Sequence, residues 1–328
     1  MKALVTGAGG FIGRHVVVAL VRGGHRVRAL VRPGTDVARL PWSDAAEPVL
    51  ADLSSDELDG AVDGTEAVVH LAARVDGTDA ERFSGTVPPT ERLIHAMARR
   101  GVGRLVLASS YSVYDWSTAR GVLDERSALE PRVYERDGYA VAKWWQERVA
   151  RRAADREGLD LVVLRPGFVW GPGGPPVAGA GVPLGRIQLV VGPLAALPLT
   201  YVENCAECFA AAAESARASN ETFNVVDDGG VAAWRFARAL RPVTGDTVLV
   251  PVPYAVGRAA AGAATALARR VLGPDARLPS VLVDRRFEAR FKPLRHSAAK
   301  AESVLGWRPA VGFEEAVRRT VGALDAWR

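Results

Sequence analysis

MKALVTGAGGFIG, residues 1–13, decides how the rest of the chain is read. A short apolar run, KALVT (2–6), leads into glycines at 7, 10 and 13, and a segment of helical period follows to about Arg22. Strand, glycine turn and helix in that order suit a pyrophosphate. Gly7 permits the tight turn, Gly10 lets the backbone approach the ligand, and Gly13 lets the helix pack close to the strand. The helix start adds free N–H groups and positive potential.

Moving outward, RVRALV (26–31), AVVHLAA (67–73), RLVLASS (104–110) and LVVLRPG (161–167) read as further strands. Segments of helical period, 90–100 and 138–156, lie between them. Strands alternating with helices imply βαβ units, and apolar runs without alternation imply a sheet covered on both faces. The expected fold is α/β, a Rossmann-type doubly wound parallel sheet with a smaller, mainly helical C-terminal lobe. The dinucleotide-binding domain is expected over 1–170, with 201–227 returning to it. The substrate lobe is expected over 171–200, which is rich in Gly and Pro, and 228–328. The Ala-rich run 259–268 reads as a packed or lid helix.

The composition is that of an ordinary globular chain: 328 residues, 48% hydrophobic, 24% charged and a net charge of +5. Its arginines are spread along the chain without a dense cluster, which argues against a nucleic-acid groove. Cys205 and Cys208 form one CxxC in a helical stretch, too little for a zinc site or a disulfide framework. They are expected to be buried thiols, and the low cysteine use suits a reducing cytoplasm. No stretch is long and apolar enough to span a membrane.

GYAVAKWWQERVARR (138–152) places Tyr139 and Lys143 four apart, hence on one face of a helix that Asp137 can cap and Gly158 can end. TGAGGFIG, Asp52-Leu53, HLAA (70–73), SSYSVY (109–114), YAVAK (139–143) and RPGFVWGPG (165–173) occur in that order. Together they resemble the extended short-chain dehydrogenase/reductase family over nearly the whole chain. HSAAKAESVLGWRPAVGFEEAVRRTV (296–321) is similar to the end of the branch that contains 3β-hydroxysteroid dehydrogenases and dihydroflavonol reductases.

The resemblance implies a catalytic set of Ser110, Tyr139 and Lys143. Tyr139 moves the substrate hydroxyl proton while hydride passes to or from C4 of nicotinamide, and Ser110 holds the reacting oxygen. To act as a base near pH 7, a tyrosine of pKa ~10 must be lowered, and the Lys143 ammonium, helped by the positive charge of an oxidised nicotinamide, is expected to do this. The implied cofactor contacts are Gly7, Gly10, Phe11, Ile12, Gly13, Asp52 at the adenine, Leu53, Leu71, Ala72, Ala73, Tyr139, Lys143 and Pro166. The second strand ends without a carboxylate, and Arg32, with Arg28, can pair with a 2′-phosphate. NADP(H) is therefore expected over NAD(H).

Two departures stand out: Thr86 replaces the family's usual Asn at a helix start, and Asp115 replaces a usual glycine. Tyr111-Ser112 stands where dehydratases carry an Asp-Glu pair, which argues against sugar dehydration. Phe168 and Trp170, with Tyr111, suggest an apolar small-molecule substrate. The leading reading is a ketone reductase or alcohol dehydrogenase. A nucleotide-sugar epimerase and a non-catalytic redox sensor are the alternatives. No metal, nucleic acid or membrane partner is implied. Homodimerisation through 90–100 and 138–156 is the family habit.

Overall fold

Alternate residues of the first strand face two different helix layers, and both sets are apolar. In β1 (Lys2–Thr6), Ala3 and Val5 face a cluster built on α1 (Phe11–Arg22), while Leu4 joins a separate cluster on the other face. The chain continues through β2 (Arg26–Val31), β3 (Glu47–Leu50), α2 (Asp59–Val62), β4 (Ala67–His70), α3 (Asp79–Ser84), α4 (Val87–Arg99) and β5 (Arg104–Ala108). Next come β6 (Val122–Leu123), α5 (Gly138–Glu157), β7 (Asp160–Pro166), β8 (Phe168–Trp170), β9 (Val182–Leu184), β10 (Ile187–Val191), β11 (Leu199–Tyr201), α6 (Val202–Glu214) and β12 (Thr222–Val225). The remainder is α7 (Ala233–Ala239), α8 (Arg241–Thr244), β13 (Val248–Val252), α9 (Tyr254–Leu272), α10 (Asp284–Phe291), β14 (Arg295–His296), α11 (Ala299–Leu305) and α12 (Phe313–Asp325). This is a computed structural model, and it describes residues 1–54, 58–174, 181–227, 230–245, 247–273, 279 and 282–325.

Seven parallel strands form the central sheet in the order β12-β7-β5-β4-β1-β2-β3. The strand order reverses between β1 and β4, and in open α/β sheets the crevice at the carboxyl ends beside that reversal is where ligands bind. Cys205 and Cys208 are buried thiols on α6, in the core cluster that also holds residues of α1. On the opposite face, α4 and α5 contribute Leu93, Ile94 and Ala150.

Three features differ from the sequence expectation. β3 is a short edge strand, EPVL, with Glu47, Pro48 and Leu50 exposed. It carries little apolar signal, and an edge position tolerates its proline. The second lobe is not mainly helical around the Gly/Pro stretch: β13, β10 and β9 form a three-stranded sheet. Residues 175–180 of that stretch lie outside the described residues. The Ala-rich run belongs to α9, where Ala261 alone is buried, so of the packed and lid alternatives the packed one is not met.

Candidate functional site

Everything at the crevice starts from the turn after β1. Gly7 has φ +68, and a Cβ there would lie 2.9 Å from the Ala72 backbone nitrogen. A Cβ on Gly13 would lie 2.0 Å from the Gly7 carbonyl oxygen, so the helix touches the turn directly. Gly10 is the N-cap of α1 and offers no side-chain cap, and the first turn carries no acid. The amides at Phe11 and Ile12 therefore begin an uncapped helix pointing at the crevice, an arrangement that suits a phosphate. From below, Trp42 braces the turn, its Nε1 donating to the Ala8 carbonyl at 3.1 Å. The cradle fits a dinucleotide pyrophosphate. Gly13→Ala is expected to abolish dinucleotide binding in a calorimetric titration and to lower the melting temperature, because the new methyl meets backbone that cannot turn aside.

The neighbouring strand ends supply the rest. Leu71 N–H donates to the Thr6 carbonyl at 3.3 Å and Ala72 N–H to the Thr6 hydroxyl at 3.4 Å, so both follow β1 closely, with Ala73 next in chain. Asp52 is exposed, its Oδ1 accepting from Ser54 N–H at 2.8 Å, and Leu53 is half-buried. Arg32 is exposed just past β2. Arg28 is not available to a phosphate. Its guanidinium pairs with Glu47 at 2.9 Å and donates to the Gly60 and Ala61 carbonyls. Pro166 closes β7 against Val225.

Ser110 follows β5 in extended backbone, and its Oγ accepts from Ser112 N–H at 3.1 Å. Asp137 caps α5, accepting from Ala140 N–H at 3.1 Å, and Gly158 ends the helix with φ 67. That helix brings Tyr139 to a hydrogen bond with Ser110. Lys143 Nζ donates to the Ala108 carbonyl at 2.8 Å and to Gln146 Oε1 at 2.9 Å. The adjacent Ser109 is committed elsewhere, donating to Glu147 at 2.7 Å.

The electrostatics correct one expectation. Lys143 does not lower the Tyr139 phenol in the protein alone. Burial raises it, the Ser110 hydrogen bond brings it part of the way back, and Asp137 adds to the rise. Burial pushes Lys143 itself down to about 7. The pair is better suited to giving a proton than to taking one.

Tyr111 is 3% exposed, its hydroxyl has no partner among the described residues, and its ring meets Tyr114, Trp116 and His296 edge-on or tilted. Phe168 lines a small cavity with Trp116, Leu197, Arg290, Phe291, Lys292 and His296, whose enclosed space of about 10 Å³ is room for a single water. Trp170 does not face that cavity. At 2% exposed, it packs against Tyr201, Phe236 and Phe313 in the core of the second lobe. Alternation along β8 sends Phe168 and Trp170 to the same side, and the aromatic core of the lobe takes the inner of the two.

The two departures also have structural accounts. The Thr86 hydroxyl accepts from Arg74 N–H at 3.0 Å and so fixes the loop ahead of α4. Asp115 is buried and accepts from Ser117 and Thr118, with Arg285 of α10 at 3.3 Å, which ties the loop after Tyr114 to the second lobe. Sequence reasoning missed a buried network on α5. Glu147 takes two bonds from Arg165, at 2.5 and 3.1 Å, and Arg165 also donates to the Tyr114 hydroxyl at 3.0 Å. Burial alone would raise Glu147, but Arg165, Arg151 and Ser109 bring it down to about 2. The signal was legible as a Glu four residues past Lys143 with an Arg closing the next strand. Among the described residues no cluster could hold a metal, and no helix is long and apolar enough to cross a membrane.

With this geometry in view, the comparisons agree. The model of the NAD dependent epimerase/dehydratase family matches residues 3–225. A 4-hydroxy-2-methyl-3-oxo-4-farnesyl-3,4-dihydroquinoline-1-oxide ketoreductase from Stigmatella aurantiaca is 30% identical, over 86% of this chain and 84% of its own. A 3 beta-hydroxysteroid dehydrogenase/Delta 5→4-isomerase from Mycobacterium tuberculosis is 29% identical, over 74% of this chain and 70% of its own. A crystal structure of UDP-glucuronic acid 4-epimerase from Bacillus cereus in complex with NAD superposes with a TM-score of 0.74 at 18% identity. It covers 99% of this chain and 97% of that one, and it shows the shared fold.

Proposed function

Since the chain belongs to the NAD dependent epimerase/dehydratase family, as an enzyme of the extended short-chain dehydrogenase/reductase type, we propose that it is an NADP(H)-dependent carbonyl reductase acting on an apolar small molecule, with alcohol oxidation as the reverse reaction. The observation that carries this reading is Tyr139, a phenol held protonated by burial and hydrogen-bonded to Ser110, one residue from the aromatic wall that Tyr111 begins.

The dinucleotide would rest its pyrophosphate on the Gly7–Gly13 turn and the start of α1, its adenosine near Asp52 and Arg32, and its nicotinamide ribose near Tyr139 and Lys143. When bound, it supplies hydride from C4 of nicotinamide. Ser110 donates a hydrogen bond to the substrate carbonyl and stabilises the developing alkoxide. Tyr139 delivers its phenolic proton to that oxygen. Lys143 then neutralises the phenolate left behind. Phe168 and Tyr111 would form part of the substrate wall, and these aromatic side chains support a hydrophobic ketone over a nucleotide sugar. The Stigmatella aurantiaca relative, by its name a ketoreductase on a farnesylated ring, supports the same class.

A titration with NADPH and NADH tests the cofactor choice. NADPH is expected to bind more tightly, and Arg32→Ala to weaken NADPH by roughly 10- to 100-fold, the range of a charged hydrogen bond, while leaving NADH unchanged. Tighter NADH binding by the unaltered protein would reject the assignment of Arg32. Oxidation of NADPH across a panel of apolar ketones tests the reaction. No turnover with any of them, together with interconversion of UDP-sugars, would reject reductase for epimerase.

A further inference from the structure

We infer that Gln146 is a positioning residue for Lys143, its amide held in one direction by a buried chain that ties α5 to the strand carrying the glycine turn. This inference rests on the functional reading above for its consequence, but not for its geometry.

The direction follows from counting protons. The Thr90 hydroxyl donates its one proton to the Thr86 carbonyl at 2.8 Å. Its oxygen can then only accept, and it faces Gln146 Nε2 at 2.9 Å and His70 Nε2 at 2.8 Å. Burial, with the Lys143 charge beside it, holds His70 down to about 3, so the ring is neutral and carries one proton. That proton sits on Nε2 and points at Thr90. Nδ1 is therefore bare and accepts from the Thr6 hydroxyl at 2.7 Å. Gln146 Nε2 donates to Thr90 and, at 3.4 Å, to the Ala72 carbonyl. Its Oε1 is left for the ammonium of Lys143, at 2.9 Å. A flipped amide would set NH₂ against the ammonium and its oxygen against the Thr90 oxygen and the Ala72 carbonyl, with only the His70 Nε2–H, at 3.3 Å, able to donate to it.

The chain therefore runs Lys143–Gln146–Thr90–His70–Thr6 and ends one residue before Gly7. Lys143 uses two of its three N–H bonds, on Ala108 and Gln146, and among the described residues the third has no acceptor. One N–H of fixed direction is what a ribose hydroxyl beside Tyr139 requires. Among the described residues no carboxylate pairs with Lys143. His70 on β4 is neutral, Thr90 on α4 and the Ala108 carbonyl on β5 are uncharged, and Tyr139 on α5 is a phenol. Glu147, also on α5, is taken by Arg165 of β7 and by Arg151.

Three variants decide the matter: Gln146→Met, which removes the acceptor, Gln146→Glu, which keeps an acceptor and adds charge, and Thr90→Val, which frees the amide without touching Gln146. The first readout needs no cofactor. Lys143 lies near 7 in the folded protein and ~10.4 unfolded. Its burial therefore destabilises the fold below pH 7, and stability recovers as pH rises from about 7 toward 10. Gln146→Glu raises Lys143 and flattens that rise in thermal unfolding. Gln146→Met lowers Lys143 and starts the rise at a lower pH.

The second readout is turnover. Gln146→Met is expected to lose roughly 10- to 100-fold in kcat with KM for the ketone unchanged. Gln146→Glu is expected to lose less than Gln146→Met, because it keeps the acceptor for Lys143 while setting its second oxygen against Thr90 and the Ala72 carbonyl, and the alkaline limb of its pH profile moves to higher pH. Thr90→Val follows Gln146→Met in direction, and it reports if that variant does not fold. Identical unfolding profiles in the parent and Gln146→Glu would overturn the inference. So would an unchanged kcat and alkaline limb in Gln146→Met. If the unfolding profiles shift as stated while the parent binds no dinucleotide, the contact stands and the functional reading falls.

Discussion

Tyr139→Phe lowers kcat for ketone reduction by roughly 10²- to 10⁴-fold, the span expected when a positioned acid is removed, while NADPH binding stays close to that of the parent. The two effects separate because the phenyl ring keeps the packing at the start of α5 and loses one oxygen. That oxygen is hydrogen-bonded to Ser110 and not to the ion pairs that hold the helix. A Tyr139→Phe protein that still reduces ketones at the parent rate would remove the proposed proton donor and leave Ser110 and Lys143 without a purpose at this site. If the variant loses NADPH binding as well, the phenol is a cofactor contact first, and its catalytic share has to be read from single-turnover rates.

Glu147→Ala is expected to destabilise the fold by about 3–5 kcal/mol, the cost of leaving a buried cation without its partner. Glu147 is 2% exposed on its side chain and Arg165 4% exposed, so water cannot replace the lost carboxylate. Thermal or urea unfolding measures the loss. The same pair predicts a pH dependence. Glu147 lies near 2 in the folded protein and ~4.3 unfolded. Its contribution is complete above about pH 4.3 and disappears as pH falls toward 2. The parent should lose stability over that interval, and Glu147→Ala should lose less. A variant within about 1 kcal/mol of the parent, with the same acid profile, would mean that Arg165 finds another partner. Since Glu147 also holds Ser109, next to Ser110, a fall in kcat is expected in the folded fraction.

Local chemistry wrote much of this protein into its sequence. Strand β1 and the turn at Gly7 were legible because only glycine suits those positions: φ +68 at Gly7 and a collision at Gly13 exclude side chains whatever the rest of the chain does. The i, i+4 pairing of Tyr139 and Lys143 and the Asp137 cap were legible because a helix fixes such neighbours by its own geometry. The parallel sheet was legible because strands buried on both faces read as unbroken apolar runs.

What the sequence left open depends on residues far apart in chain. Phe168 and Trp170 are two residues apart and equally aromatic, yet Phe168 lies half-buried at the edge of the lobe core and borders the cavity, while Trp170 fills that core with Tyr201, Phe236 and Phe313. Nothing local distinguishes them. Arg28 reads in the sequence as a helper to Arg32 at a phosphate, and only the fold shows that Glu47, on the edge strand beside β2, takes it. The direction of the Tyr139 shift in the protein alone is not legible in the sequence, because spacing places a lysine near a tyrosine but says nothing of how much water either loses. Desolvation is a property of the packed interior, and it raises the Tyr139 phenol and lowers the Lys143 ammonium.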